Sequence, residues 1–139
     1  MPDFNPLDPQ NMNGAIESLG ANLKAGWQLG LRMEVPEYKP LRQIVICGMG
    51  GSAIGGDFAT SYLSEELHVP AIAHRNYGLP GWATGPETLV VCSSHSGNTE
   101  ETLSSYHEAL RRGCSIVSIT TGGKLADLSA ENGTTCWIF

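Results

Sequence analysis

The chain has 139 residues, of which 41% are hydrophobic and 16% are charged. This length suits one domain with a sizeable core, and the charged fraction is below the value of about a quarter that is usual for globular proteins. The low charge predicts that a partner domain or subunit covers part of the surface. The formal net charge of −6 argues against nonspecific binding to nucleic acid through bulk charge.

The first part of the chain predicts an extended, proline-containing lead-in over residues 1–10, followed by one amphipathic helix over about residues 11–31. A proline-bounded linker follows over residues 35–40. We therefore expect residues 1–40 to form an N-terminal extension and residues 41–139 to form the main domain. The helix is predicted because its apolar residues recur at three- and four-residue steps: Ile16, Leu19, Leu23, Trp27 and Leu31.

The rest of the chain alternates short apolar runs, rich in β-branched residues, with helical stretches. Such alternation predicts a parallel sheet with helices on both faces. The predicted fold class is α/β, a three-layer αβα sandwich with a flavodoxin-like sheet in the order 2-1-3-4-5 and the N-terminal helix appended. Strands are predicted over residues 44–47, 71–73, 88–92, 116–119 and 136–139, and helices over about residues 52–67, 100–112 and 124–131.

The first strand leads into a glycine loop, residues 48–57. Glycines allow backbone N–H groups to approach a ligand, and the N-terminus of the following helix adds about half a positive charge. Ser52 could cap this helix or donate to an anion. The structural alternative is a tight strand-to-helix turn in which Gly55 and Gly56 pack against the sheet.

The third strand leads into a hydroxyl loop, residues 93–99, which has four hydroxyl groups and one glycine. No lysine lies between Lys39 and Lys124, so an anion at this loop must be bound by hydroxyl and amide donors. The alternative is an ordinary helix-capping turn. In the predicted strand order both loops fall at the topological switch point, where ligands of open α/β sheets bind.

These two loops resemble the signature of SIS (sugar isomerase) domains, and residues 48–57 resemble in particular the bifunctional phosphoglucose/phosphomannose isomerase family. The resemblance covers roughly residues 43–139. It implies a hexose 6-phosphate ligand and an aldose–ketose isomerase that interconverts glucose 6-phosphate or mannose 6-phosphate with fructose 6-phosphate. The positions that it implies for phosphate contact are Gly50, Gly51, Ser52, Ser94, Ser96 and Thr99.

The resemblance also implies a homodimer and a second SIS domain after residue 139, which carries the catalytic glutamate. The main domain is thus expected to be truncated at its C-terminal end and to bind a hexose 6-phosphate without isomerising it. Two residues of this chain remain candidates for a base. Glu101 is interpreted as part of a capping box with Asn98, and His95 stands where the family has a tyrosine and is expected to line the cleft.

Two other functions stay open at this stage. Gly48, Gly50 and Ala53 satisfy a loose dinucleotide fingerprint, and Arg75 could meet the 2′-phosphate of NADP. This interpretation leaves the hydroxyl loop unexplained. The second alternative is a noncatalytic phosphosugar-sensing regulatory domain, because SIS domains also occur in regulators. The single N-terminal helix and the negative charge argue against a DNA-binding regulator.

The cysteines and the N-terminus bear on the cellular compartment. The cysteines form no C-x-x-C pair and have no zinc-ligand spacing, so we interpret them as small apolar residues of a reducing compartment. The sequence predicts neither a membrane span nor a signal peptide, and we expect a cytoplasmic protein that needs no metal or cofactor. The cysteines are Cys47, Cys92, Cys114 and Cys136.

Overall fold

The computed structural model describes residues 7–139, which fall into two compact units with a boundary between Val35 and Pro36. The first unit contains α1 (Met12–Glu17) and α2 (Leu19–Gly30). The predicted single helix is therefore interrupted at Ser18, whose hydroxyl donates to the carbonyl of Ala15 at 2.9 Å. Neither helix has a buried residue. The first six residues of the predicted lead-in lie outside the described part of the chain.

The second unit is a five-stranded, fully parallel sheet in the order β2-β1-β3-β4-β5, with helices on both sides. The predicted fold class is thus confirmed. The strands are β1 (Gln43–Cys47), β2 (Ala71–His74), β3 (Thr88–Ser93), β4 (Ser115–Thr120) and β5 (Thr135–Ile138), and the helices are α3 (Gly50–Tyr62), α4 (Glu100–Arg111) and α5 (Gly123–Asn132).

The core lies mainly on one face of the sheet, where α4 contacts β3 and β4 and α5 contacts β4 and β5. Val45 and Val90 of neighbouring strands are fully buried in the same cluster as Tyr106 of α4 and Leu125 of α5. Burying each such side chain stabilises the fold by about 1.5–3 kcal/mol. On the other face α3 covers β1 and β2.

Gly56 sets how closely α3 approaches the sheet. A Cβ added at this position would lie 3.0 Å from the side chain of Ile46, which is tighter than an ordinary contact. The structural role considered for Gly56 from the sequence is therefore present in the fold. Gly55, by contrast, is exposed, and an added Cβ there would meet no atom within 4 Å among the described residues.

Two polar anchors tie α4 to its surroundings. The hydroxyl of Tyr106 donates to the carbonyl of Leu128 at 3.0 Å and lies 2.8 Å from the hydroxyl of Thr134. At the end of the helix, the Arg112 guanidinium bonds to Glu108 at 2.6 Å and donates to carbonyls of residues 79–83. The bonds of Arg112 hold the connection between β2 and β3, which has no regular secondary structure.

Candidate functional site

The carboxyl ends of the central strands border a cavity of about 660 Å³. Its floor is apolar and is formed by Ile46 of β1, Val91 of β3 and Ile119 of β4. Its walls come from the glycine loop and the hydroxyl loop, which meet here because β1 and β3 are neighbouring strands. The cavity lies at the topological switch point that the strand order predicts.

In the glycine loop, the glycines leave backbone N–H groups accessible from this cavity. At Gly48 an added Cβ would lie 3.0 Å from the carbonyl oxygen of Ser93 and 3.1 Å from Cβ of Ser52, so a side chain here would separate the two loops. Gly50 opens α3 with a φ of 50°, in the region that favours glycine. The N–H groups of Gly50 and Gly51 have no hydrogen-bond partner within residues 7–139. They are therefore free to bind an anion at the positive end of α3.

Ser52 lies on the cavity wall in the first turn of α3. The sequence left two roles open for this residue, a helix cap and an anion donor. No side-chain cap forms at the start of α3, so the Ser52 hydroxyl is available to a ligand in the cavity.

The hydroxyl loop is stabilised from within by its buried serine. Ser94 is 2% exposed, and its hydroxyl lies 2.9 Å from the Thr99 hydroxyl and accepts from the Gly97 N–H at 3.1 Å. Ser96 and Thr99 line the cavity. Thr99 also precedes α4 without forming a side-chain cap, so the positive end of a second helix is open towards the cavity.

The predicted capping box between Asn98 and Glu101 is wrong, because α4 starts at Glu100 and its N-cap is Thr99. The side chain of Asn98 turns away from the helix instead. It accepts from the N–H of Lys124 at 3.3 Å and donates to the carbonyl of Ser96 at 2.9 Å.

The Glu101 carboxylate is therefore not engaged in a cap, but Glu101 does not line the cavity either. Its main electrostatic neighbour is Tyr77. The negative charge of Glu101, together with a 3.2 Å hydrogen bond to Glu100, raises the pKa of Tyr77. Glu100 and Glu101 therefore face the connection between β2 and β3 from the first turn of α4, and neither of them lines the cavity.

Four of the six residues predicted for phosphate contact line the cavity: Gly51, Ser52, Ser96 and Thr99. The other two, Gly50 and Ser94, lie beside it. Ser94 acts on the cavity through its hydrogen bond to Thr99, whereas Gly50 shapes the start of α3.

His95 lines the cavity as predicted, and its ring lies 5.8 Å from that of Phe139, at an angle of 54°. Sequence reasoning missed Phe139 as part of the wall. It also missed the segment that follows β4, which contacts the hydroxyl loop. The run Thr120-Thr121-Gly122-Gly123, with its own hydroxyls and glycines at a strand end, was the signal for this contact.

Among the residues that the structure describes, no lysine or arginine lines the cavity. Arg75, the cation considered for a 2′-phosphate, forms an ion pair with Asp57 of α3.

Burial raises the pKa of Cys47 to about 11 and raises that of Cys92 as well, so both remain protonated thiols near neutral pH. No group of histidine, cysteine or acidic residues within residues 7–139 is arranged to hold a metal ion. No helix in that range is long and apolar enough to cross a membrane.

Comparison with known proteins identifies close relatives for most of the chain, although no family model matches it. A bifunctional phosphoglucose/phosphomannose isomerase of Caldicellulosiruptor bescii is 38% identical over 120 residues, which cover 86% of this chain and 35% of that protein. One of Aquifex aeolicus is 44% identical over 98 residues, which cover 70% of this chain and 30% of that protein. The chain thus spans about a third of the length of these relatives.

Solved structures share the fold at lower sequence identity. The tagatose-6-phosphate ketose/aldose isomerase of Escherichia coli matches 91% of this chain and 35% of its own, with a TM-score of 0.59 and 20% identity. The NanR protein of Vibrio vulnificus, complexed with ManNAc-6P, matches 96% of this chain and 51% of its own, with a TM-score of 0.58 and 18% identity.

Proposed function

The chain belongs to the family of the bifunctional phosphoglucose/phosphomannose isomerases, and we propose that it is the phosphosugar-binding SIS domain of such an enzyme. Its ligands are glucose 6-phosphate, mannose 6-phosphate and fructose 6-phosphate. One observation carries this proposal. Two helix N-termini and the hydroxyl-bearing residues Ser52, Ser96 and Thr99 border a cavity whose wall, as far as residues 7–139 form it, has no lysine or arginine.

The phosphate group has the chemistry that such a site binds. Its oxygens accept hydrogen bonds from unpaired amides and hydroxyls, and the two helix dipoles favour its negative charge. The cavity volume of about 660 Å³ is within the usual range of about 300–1,000 Å³ for small-molecule sites. The space beyond the phosphate accommodates the sugar, whose C–H groups face Ile46, Val91 and Ile119.

The reaction of the whole enzyme is aldose–ketose isomerisation, in which a positioned base moves a proton between C1 and C2 of the sugar. Binding of the remote phosphate orients the sugar and supplies binding energy for this step. Within residues 7–139, neither a glutamate nor an aspartate lines the cavity. We propose that the base comes from a second SIS domain of the longer enzyme, as the resemblance of the two loops implies, and that this enzyme is a cytoplasmic homodimer.

The dimer proposal draws on a row of exposed apolar residues along α3. Ile54, Phe58 and Tyr62 follow one another at four-residue steps and are 66%, 62% and 66% exposed. The rings of Phe58 and Tyr62 are stacked, with centroids 6.1 Å apart. Contiguous exposed apolar surface of this kind favours protein–protein contact, and α3 borders the cavity.

The phosphate assignment is tested by Ser96→Ala, which removes a hydroxyl from the cavity wall. A hydrogen bond to a charged group is worth about 1.5–3 kcal/mol, so glucose 6-phosphate should bind about tenfold or more weakly. Binding of glucose should scarcely change, and Ser61→Ala on the exposed side of α3 is the control. Calorimetry that gives equal losses for glucose and glucose 6-phosphate would contradict the assignment.

We also predict that the 139-residue chain binds fructose 6-phosphate without isomerising it. A coupled enzyme assay on the purified chain, run beside calorimetry, measures both properties. Turnover near that of a full-length isomerase would place the base within this chain. In that case Glu101→Gln and His95→Asn would identify it.

A noncatalytic phosphosugar sensor is the second candidate. Its support is the fold shared with NanR, which was solved with a bound sugar phosphate. The two candidates differ in one measurement, the isomerisation of fructose 6-phosphate by the full-length protein. A sensor would bind the sugar phosphate without turnover, whereas the isomerase would convert it.

A further inference from the structure

We propose that the β4–α5 segment (residues 120–125) is a template that holds the hydroxyl loop in its phosphate-binding conformation. Thr121 and Gly123 of this segment and Asn98 of the hydroxyl loop act as positioning residues. The proposal rests on the proposed function, since it concerns the same phosphate site. It adds a structural element that touches no ligand and yet decides which backbone groups of the hydroxyl loop face the cavity.

The template binds the backbone carbonyls of the hydroxyl loop. The carbonyl of His95 accepts from the N–H of Thr121 at 3.1 Å and from its hydroxyl at 2.6 Å. The carbonyl of Gly97 accepts from the N–H of Leu125 at 2.9 Å. Between them, the carbonyl of Ser96 accepts from the side chain of Asn98 at 2.9 Å.

Asn98 is itself held by the template, because its Oδ1 accepts from the N–H of Lys124 at 3.3 Å. The amide side chain therefore links the carbonyl of Ser96 to the first turn of α5. Three consecutive loop carbonyls thus each have a hydrogen-bond donor. Those of His95 and Gly97 accept from the β4–α5 segment, and that of Ser96 accepts from the Asn98 side chain.

This arrangement matters because a carbonyl oxygen and a phosphate oxygen repel each other. With the carbonyls engaged elsewhere, the N–H groups of His95, Ser96 and Thr99 remain for a ligand: these residues line the cavity, and their N–H groups have no partner within residues 7–139. Consecutive unpaired amides that point into one concavity form an anion site. The template therefore favours an anion over a neutral or cationic ligand without adding any charge.

The contact between the two segments depends on glycine on both sides. An added Cβ at Gly97 would lie 1.8 Å from the carbonyl oxygen of Gly122, and one at Gly123 would lie 2.4 Å from that of Ser96. The two backbones touch directly, so a methyl group at Gly123 must displace the Ser96 carbonyl. The same displacement moves the Ser96 hydroxyl, which lines the cavity.

The N-terminus of α5 has a different task from those of α3 and α4. Two N–H groups of its first turn, those of Lys124 and Leu125, are bound to the Asn98 side chain and the Gly97 carbonyl. Its positive end holds the hydroxyl loop instead.

Gly123→Ala tests the proposal, with Gly133→Ala as the matched control. Both glycines have a left-handed backbone, with φ values of 72° and 63°, but an added Cβ at Gly133 meets nothing within 4 Å. Both variants should therefore lose stability from backbone strain. Gly123→Ala alone should weaken binding of inorganic phosphate and of glucose 6-phosphate, by about tenfold if one charged hydrogen bond is lost.

Thr121→Val gives an independent test if Gly123→Ala does not fold. It removes the hydroxyl donor to the His95 carbonyl and keeps the shape of the side chain, and Thr121→Ser should restore binding. Calorimetry measures phosphate affinity, and thermal unfolding measures stability.

Three outcomes decide between the proposals. Selective loss of phosphate affinity in Gly123→Ala and Thr121→Val supports the template. Wild-type affinity in both variants, with loss in Ser96→Ala, overturns the template and leaves the phosphate site in place. A wild-type chain that binds neither inorganic phosphate nor glucose 6-phosphate overturns both.

Discussion

Arg112 anchors the end of α4, and its replacement tests how far this anchor stabilises the fold. The guanidinium donates to the carbonyls of Pro80 at 2.7 Å and Ala83 at 3.0 Å and bonds to Glu108 at 2.6 Å. Its side chain is 19% exposed. Arg111 provides a matched comparison, because it pairs with the same Glu108 carboxylate and is 70% exposed.

The expected magnitudes follow from these differences. Arg112→Met retains most of the apolar stem but leaves two carbonyls without their charged donor, and hydrogen bonds to charged groups are worth about 1.5–3 kcal/mol each. We expect a loss of about 3 kcal/mol. Arg111→Met removes one surface ion pair, which typically contributes about 0–1 kcal/mol. In a unit of this size, 1 kcal/mol corresponds to about 4–8 °C in Tm.

Thermal unfolding followed by circular dichroism measures both variants. Arg112→Met should lower Tm by about 12 °C or more, and Arg111→Met by less than about 8 °C. Equal losses in the two variants would refute the reasoning, because they would mean that the bonds to residues 79–83 contribute nothing beyond the shared ion pair with Glu108.

Two further predictions concern the same helix. Arg111 and Arg112 hold the pKa of Glu108 at about 2, below its ordinary value of 4.5, so the stability from this carboxylate is complete above about pH 4.5 and is lost as the pH falls towards 2. The Tm difference between wild type and Glu108→Gln should therefore be constant near neutral pH and shrink between pH 4.5 and 2, whereas a pH-independent difference would contradict the pairing. Tyr106→Phe removes the hydroxyl that bonds to Leu128 and Thr134 and should cost about 1–3 kcal/mol in urea unfolding, since a buried carbonyl loses its donor; an unchanged midpoint would show that water replaces it.

The fold could be predicted from the sequence because its signals are local. Each strand is a short apolar run that ends at glycine or a polar turn, and their alternation with helices leaves few topologies. The errors lie at element ends. Residues 11–31 form two helices that are divided at Ser18, and α3 ends at Tyr62 rather than near Leu67. Residues 63–66 form turns instead, with the N–H of Glu66 bound to the carbonyl of Leu63 at 2.9 Å.

The candidate site could be located from the sequence, but its internal bonding could not. Glycines and hydroxyls at two strand ends identify the switch point by pattern alone. The role of Asn98 depends on Lys124, which lies 26 residues later, so a local capping motif was the natural and mistaken interpretation. Similarly, Ser94 and Ser96 cannot be distinguished by composition. The Ser94 hydroxyl is buried and bonds to Thr99 and Gly97, whereas the exposed Ser96 hydroxyl accepts from the Asn98 N–H at 3.2 Å and keeps its proton for a ligand.

A cavity wall without lysine or arginine has a consequence for the rate of ligand capture. The chain carries a formal net charge of −6, so an incoming sugar phosphate approaches against a repulsive long-range field and is attracted only by dipoles of short range. Added salt screens that repulsion. Association of the sugar phosphate should therefore become faster as ionic strength rises, which is the opposite of the behaviour of a lysine-lined phosphate site.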